Sequence, residues 1–183
     1  EEAYLLSIGY EVATVTDGKL TNNCDYIIIK TADQLEALMN SGSTNADENV
    51  ISVSGNVKST LSGIKVTKTG DSDGEDNTSF YGTNSAIIAK EGATLNIKNA
   101  TITTDATGAN GVFSYGGSAT TDNSSSDNTT INISDSTITT SKDNSGGIMT
   151  TGGGIMNATN LKINTSGTSS AAIRSDRGGG TVT

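Results

Sequence analysis

The sequence predicts an all-β protein, a right-handed parallel β-helix with a small N-terminal cap containing one short helix. Three features predict it. A block of strand, polar corner, strand and glycine recurs through the second half of the chain. Apolar residues fall at matching places from block to block, and the composition favours short strands over long helices.

The repeat comes first because it sets the register of everything else. NATITTDATGANGVFSYGG, DSTITTSKDNSGGIMTTGGG and TNLKINTSGTSSAAIRSDRGGG share one order, a Thr-rich strand, a polar corner, a second strand and glycine. Alignment puts Ile87, Val112, Ile148 and Ile173 in one position, at spacings of about 25, 36 and 25 residues. The longer step holds a Ser- and Asn-rich loop over residues 118–128, inserted after Gly117. A period near 25 with short strands fits coils stacked in parallel about 4.8 Å apart.

Alternation then predicts which side chains face inward. Ile97, Ile133 and Met156 are expected to form one column, Ile102, Ile138 and Leu161 a second, and Ile87, Val112, Ile148 and Ile173 a third. Their neighbours Asn96, Lys98, Asn132 and Ser134 are polar, as outward positions require. Gly92, Gly117, Gly153 and Gly178 recur at one corner, where a residue without Cβ takes positive φ at little cost.

The first part reads as a cap over residues 1–49, ahead of coils over residues 50–183. Strands are expected over 4–8, 12–16 and 26–30. Thr31 with Gln34 makes a capping box ahead of a short helix over 32–40, closed by Gly42. Segments 50–54 and 64–68 form the first coil, and an acidic loop over 70–77 interrupts it. Cys24 stands alone and reads as a small buried hydrophobe.

Composition bounds the function. Beside a normal globular chain, 183 residues with 32% hydrophobics, 4% aromatics, 22 glycines and no Trp, His or Pro make one domain with a thin aliphatic core. A net charge of -9 argues against nucleic acid or an anionic membrane as partner, since both need clustered cations. The longest aliphatic run, residues 27–29, is far below the roughly 20 residues that span a bilayer, so no membrane insertion is expected. The chain opens on Glu1 without a basic, apolar leader and is expected to be a processed or trimmed form.

Over residues 50–183 the stacked Thr/Asn strands and GG corners resemble the pectin-lyase-like right-handed β-helices of adhesin-like bacterial surface proteins. The resemblance implies an extracellular or cell-surface location and contact with surfaces or glycans. Polysaccharide lyases and hydrolases of this fold use acidic clusters with Lys or Arg, or metal-held carboxylates. This chain offers only Asp176 between Arg174 and Arg177, a single carboxylate without a separate acid and base. A solvated ion pair is the plainer reading, although an arginine here could hold a uronic acid.

Other motifs are weak. Asp71, Asp73, Glu75 and Asp76 gather hard oxygen ligands, but Gly74 and Gly82 fall at the wrong places for a calcium loop. The glycine runs 152–154 and 178–180 lack the Lys and Ser or Thr of a phosphate loop. TxT triplets at 101–103 and 137–139 would align as on ice-binding solenoids, but the array breaks at Asn160, Leu161 and Lys162. Sequons at Asn77, Asn99, Asn123, Asn128, Asn132, Asn157 and Asn164 follow from the composition.

The most informative pattern faces outward. If the third column is internal, Ile88, Phe113, Met149 and Arg174 point out, flanked by Lys90, Tyr115, Thr151 and Asp176. Phe113, Tyr115, Met149, Arg174 and Asp176 are therefore the expected binding residues, an apolar strip able to stack on a sugar or partner. The N-terminal segment or the 118–128 loop covering the strip is the competing expectation.

The functional expectation is a non-enzymatic structural or adhesive scaffold without a cofactor, with a glycan-cleaving enzyme as the alternative. Its expected partners are further coils of its parent chain, other copies of itself, a glycan or a host surface. End-to-end assembly is expected because the repeat stops in mid-coil at Thr181, Val182 and Thr183. The strands over 4–8 and 12–16 are the expected donors to a neighbour's open edge.

Overall fold

A computed structural model of the chain describes residues 14–16, 19–21, 39–118 and 125–183. Strands β1 (Thr14–Thr16) and β2 (Lys19–Thr21) form an antiparallel pair, and β2 lies against the first coil. Strand β3 (Asn40–Ser43) follows. The first coil holds β4 (Ile51–Ser54), β5 (Lys58–Ser62) and β6 (Lys65–Thr69). Helix α1 (Glu75–Tyr81) leads to the second coil, β7 (Ile87–Lys90), β8 (Thr94–Lys98) and β9 (Thr101–Asp105). The third comprises β10 (Val112–Tyr115), β11 (Thr130–Ser134) and β12 (Thr137–Thr140). The fourth comprises β13 (Ile148–Thr151), β14 (Gly154–Thr159) and β15 (Lys162–Thr165), before β16 (Ile173–Ser175) and β17 (Gly180–Val182).

Equivalent strands stack into three five-stranded parallel sheets: β4-β7-β10-β13-β16, β5-β8-β11-β14-β17 and β3-β6-β9-β12-β15. The fold is a parallel β-solenoid. Stacking starts before residue 50, because β3 already pairs in parallel with β6. The corner between the first two sheets carries Gly92, Gly117, Gly153 and Gly178 at φ of 83°, 74°, 85° and 81°. At the corner between the second and third sheets Gly63, Asn99, Asp135 and Asn160 also take positive φ, and short polar side chains tolerate this better than bulky ones.

The first-sheet column is as expected and gains a member, Ile51–Ile87–Val112–Ile148–Ile173. The other two shift. Met156 stacks on Ile131 and Leu95, whereas Ile133 stacks between Ile97 and Ala158. Ile163, rather than Leu161, continues Ile102 and Ile138. A two-residue slip keeps every side chain on its own face, so alternation does not detect it. The Thr array is displaced likewise: Thr137 and Thr139 meet Lys162 and Asn164.

One inward position carries a charge. Lys68 follows Val66 on the internal face of β6 and is fully buried. Its ammonium donates to the carbonyl oxygens of Asn45 at 2.6 Å, Thr69 at 2.5 Å and Gly70 at 3.4 Å. Burial lowers its pKa, and Glu48, Asp47 and Asp71 oppose that shift.

Residues 70–74 are irregular, as the expected loop over 70–77 requires, but helix α1 replaces that loop from Glu75 onward. The expected helix over 32–40 falls outside the described residues except at its end, where Met39 is helical and Asn40 opens β3. Cys24, the strands over 4–8 and 26–30 and the Thr31–Gln34 cap also lie outside them, while β1 falls within the strand expected over 12–16. Among the described residues no helix is long and apolar enough to cross a membrane.

Candidate functional site: a roofed cleft on the first sheet

Two insertions of similar size shape the first sheet. Ile51 to Ile87 spans 36 residues, as does Val112 to Ile148, so each step is about eleven residues longer than a plain coil. The first insertion enters the sheet before β7 and forms α1, while the second leaves it after β10.

Helix α1 lacks a side-chain N-cap, since Gly74 occupies that position. Glu75 and Asp76 in its first turn suit the positive end of the helix dipole. Gly82 ends it at φ 71°, donating its N–H to the Asn77 carbonyl. A Cβ at Gly82 would lie 2.8 Å from Ile88 Cδ1 and from the Phe113 ring, so the backbone passes directly over the strip. Asn110 Nδ2 donates to Thr78 O at 3.2 Å, Thr151 Oγ1 to Phe80 O at 2.7 Å, and Asn49 Nδ2 to Gly82 O at 2.8 Å.

The outward strip therefore has its expected register but not its expected exposure. Ile88, Phe113 and Met149 are 2%, 0% and 1% exposed and form a second apolar cluster, with Tyr115 packed against it. Phe113 and Met149 are buried under α1 and offer no open face to a ligand. The contacts just described belong to α1, an element absent from both covers the sequence suggested.

What remains open is a cleft of about 450 Å³ lined by Phe80, Tyr81, Tyr115, Ser118 and Arg177. Tyr81 is 47% exposed and meets Tyr115 edge-on, with ring centroids 5.7 Å apart at 89°. The Arg177 guanidinium carbon lies 3.9 Å from the Phe80 ring centroid, a cation–π contact. Burial raises the pKa of the Tyr115 hydroxyl, and Tyr81 and Asp127 add to the shift.

Arg174 and Asp176 form an ion pair, and Asp176 Oδ1 also accepts the Arg177 N–H at 2.8 Å. The Arg177 guanidinium is stacked on Phe80 instead, and among the described residues it has no carboxylate partner. Of the expected binding residues, then, Tyr115 lines the cleft and Arg174 and Asp176 satisfy each other. Phe80 and Tyr81 were missed, although adjacent aromatics inside an acidic segment of an aromatic-poor chain were a usable signal.

The acidic residues do not converge. Asp71 accepts the Thr107 N–H at 2.8 Å and lies 3.8 Å from Lys142 Nζ, and these contacts, Thr107 first, lower its pKa. Glu75 and Asp76 are exposed on α1, as is Asp73 just before it. Among the described residues no three His, Cys, Asp or Glu side chains are grouped to hold a metal. Of the four carboxylates of the weak calcium candidate, Asp71 and Asp73 precede α1 and Glu75 and Asp76 lie in its first turn.

The second and third sheets present polar outer faces. Asn157 donates to Asn132 and Asn132 to Asn96, each at 2.8 Å, forming a ladder across three coils. Thr103 and Thr139 stack on the third sheet. Comparison with family models, curated proteins and solved structures found no match to the chain.

Proposed function

We propose that this chain is a structural and adhesive module of the cell exterior, a solenoid that offers its outer face to a surface, a glycan or another subunit and does not catalyse a reaction. The observation that carries this reading is the placement of scarce residues. Both phenylalanines, two of the five tyrosines and both arginines gather around one cleft and its floor, in a chain with 4% aromatics. A rod needing only stiffness would be served by ladders such as Asn96–Asn132–Asn157 on every face.

The likeness to β-helices of adhesin-like surface proteins supports export. The net charge of -9 disfavours anionic membranes and nucleic acid, leaving carbohydrate or protein as the partner. The test is retention of the folded chain on a panel of immobilised glycans and cell-wall polysaccharides. Wild type is expected to be retained on at least one, and the Tyr81→Ala, Tyr115→Ala double variant to be lost from it. New reducing ends or unsaturated products from an acidic polysaccharide would replace this reading with a glycan-cleaving one.

The edge strands β15, β16 and β17 suit stacking of a further coil as part of the same role, from a parent chain or from a second copy. Their outer backbone groups have no further strand beside them among the described residues, and such an edge suits one more parallel coil. Light scattering at rising concentration tests this: the wild type is expected to associate and Ile173→Lys to stay monomeric. A monomeric wild type refutes the assembly.

A further inference from the structure

Resting on the adhesive reading above, we infer that the cleft is a site for a chain-terminal sugar bearing a single carboxylate, held by the Arg177 guanidinium and stacked against Tyr81 and Tyr115. The argument starts from the guanidinium. Arg177 and Arg174 follow one another closely in sequence, yet Asp176 takes up only Arg174. Arg177 lies over the Phe80 ring at 3.9 Å, and among the described residues its guanidinium has no acidic partner. A planar fork matches the two oxygens of a carboxylate in a way that a lysine ammonium does not.

The walls select the rest of the ligand. Tyr81 and Tyr115 stand edge to face at 5.7 Å, so the cleft presents aromatic surface together with ring edges. Apolar C–H faces of a pyranose pack on such rings while its hydroxyls stay hydrated. The lining comes from three separate segments, the end of α1, the stretch at Tyr115 and Ser118, and the corner after β16. With about 450 Å³ enclosed from these sides, the space suits the end of a chain better than a polymer running through.

Charge sets the number of anionic groups. The protein carries a net charge of -9, and Asp127 is close enough to push the Tyr115 hydroxyl pKa upward. A doubly charged phosphate meets that field twice over, whereas one carboxylate is matched by one guanidinium.

The experiment compares sialyllactose with lactose, which lacks the carboxylate-bearing terminal sugar, by calorimetric titration of the wild type, Arg177→Gln and Arg177→Lys. The expected result is at least about tenfold tighter binding of sialyllactose by wild type. Arg177→Gln abolishes that preference, and Arg177→Lys recovers only part of it. Thermal melts of each variant establish that the fold is retained, and inorganic phosphate as competitor is expected to displace little. Equal binding of both sugars, lost in Tyr81→Ala, would overturn the carboxylate site and leave the adhesive reading standing. No binding of either sugar overturns the site, and the glycan panel then decides the adhesive reading separately. Binding of sialyllactose unchanged in Arg177→Gln also overturns it.

Discussion

The first and last coils are built to one plan and live in different surroundings. Ile51 and Ile173 occupy the same column at opposite ends of a five-stranded sheet, yet Ile51 is 0% exposed and Ile173 58%. Val53, Leu61 and Val66 of the first coil are buried, whereas Ile163 and Val182 at the other end are only partly so. Strand β2 lies against β4, while among the described residues β16 has a neighbouring strand on one side only. An inward position thus buries its side chain only when it is covered on both sides, by a further coil or, at Ile51, by β2. Stability in such a stack is a sum over adjacent pairs, so one residue type is worth several times more inside the stack than at its edge.

The largest expected effect tests that contrast directly. Ile51→Asp places an unpaired charge in the core and is expected to abolish folding, or to cost more than about 4 kcal/mol. Ile173→Asp, in the same column at the open edge, is expected to cost less than about 1 kcal/mol. Denaturant melts read both, and similar losses would mean that the last coil is as well covered as the first.

The next test moves one residue along, to the neighbouring column of the same sheet. Phe113→Ala opens a cavity beneath α1 and is expected to cost about 3–5 kcal/mol. This reverses the small effect expected for an exposed strip. Arg174→Ala, which continues that column on the last strand, is expected to cost about 1 kcal/mol or less, because a partly exposed ion pair contributes little.

How far these contrasts were legible depends on what fixes each position. The Ile87–Val112–Ile148–Ile173 column could be read because glycine corners phase it on every coil. The second-sheet columns could not, because each strand offers two inward positions, as at Ile131 and Ile133, and a slip of two satisfies alternation equally. Helix α1 was hidden because EDNTSFY has no capping side chain before it and holds its aromatics only at the end. Its stability comes from the strip that it covers, a tertiary cause that local sequence does not carry. The cleft was half legible for the same reason. Tyr115 followed from strand alternation, while Phe80 and Tyr81 depended on where α1 docks.

A smaller effect concerns Lys68, the buried cation of the first coil. Lys68→Met leaves the carbonyls of Asn45, Thr69 and Gly70 without this donor and is expected to cost about 1–3 kcal/mol. Thr165, its counterpart on β15, is partly exposed, and Thr165→Val is expected to be near neutral. The lowered pKa of Lys68 adds a signature. In the alkaline interval below 10.5 the unfolded chain holds this proton more tightly, so its contribution to stability rises with pH there. Tyr115 acts oppositely: its raised pKa makes the folded chain retain the proton as pH climbs past 10.0, and stability falls. The wild type minus Lys68→Met difference isolates the lysine, and a difference that shrinks with rising pH in that interval would contradict its buried position.

The smallest effect lies in the asparagine ladder, where the contrast between interior and edge should reappear in hydrogen bonds rather than in apolar burial. Asn132 sits between two partners, donating to Asn96 and accepting from Asn157, each at 2.8 Å. Asn157 has one ladder bond, to Asn132, and is the more exposed of the two. Each neutral bond contributes about 0.5–1.5 kcal/mol net, at the low end where water competes. Asn132→Ala is therefore expected to cost about 1 kcal/mol and Asn157→Ala about half as much. The double variant should cost no more than Asn132→Ala alone, since the first substitution already removes the only bond that Asn157 makes in the ladder. Full additivity of the two losses, measured by a double-mutant cycle in denaturant, would mean that the residues do not act through each other and that the ladder is a by-product of strand stacking.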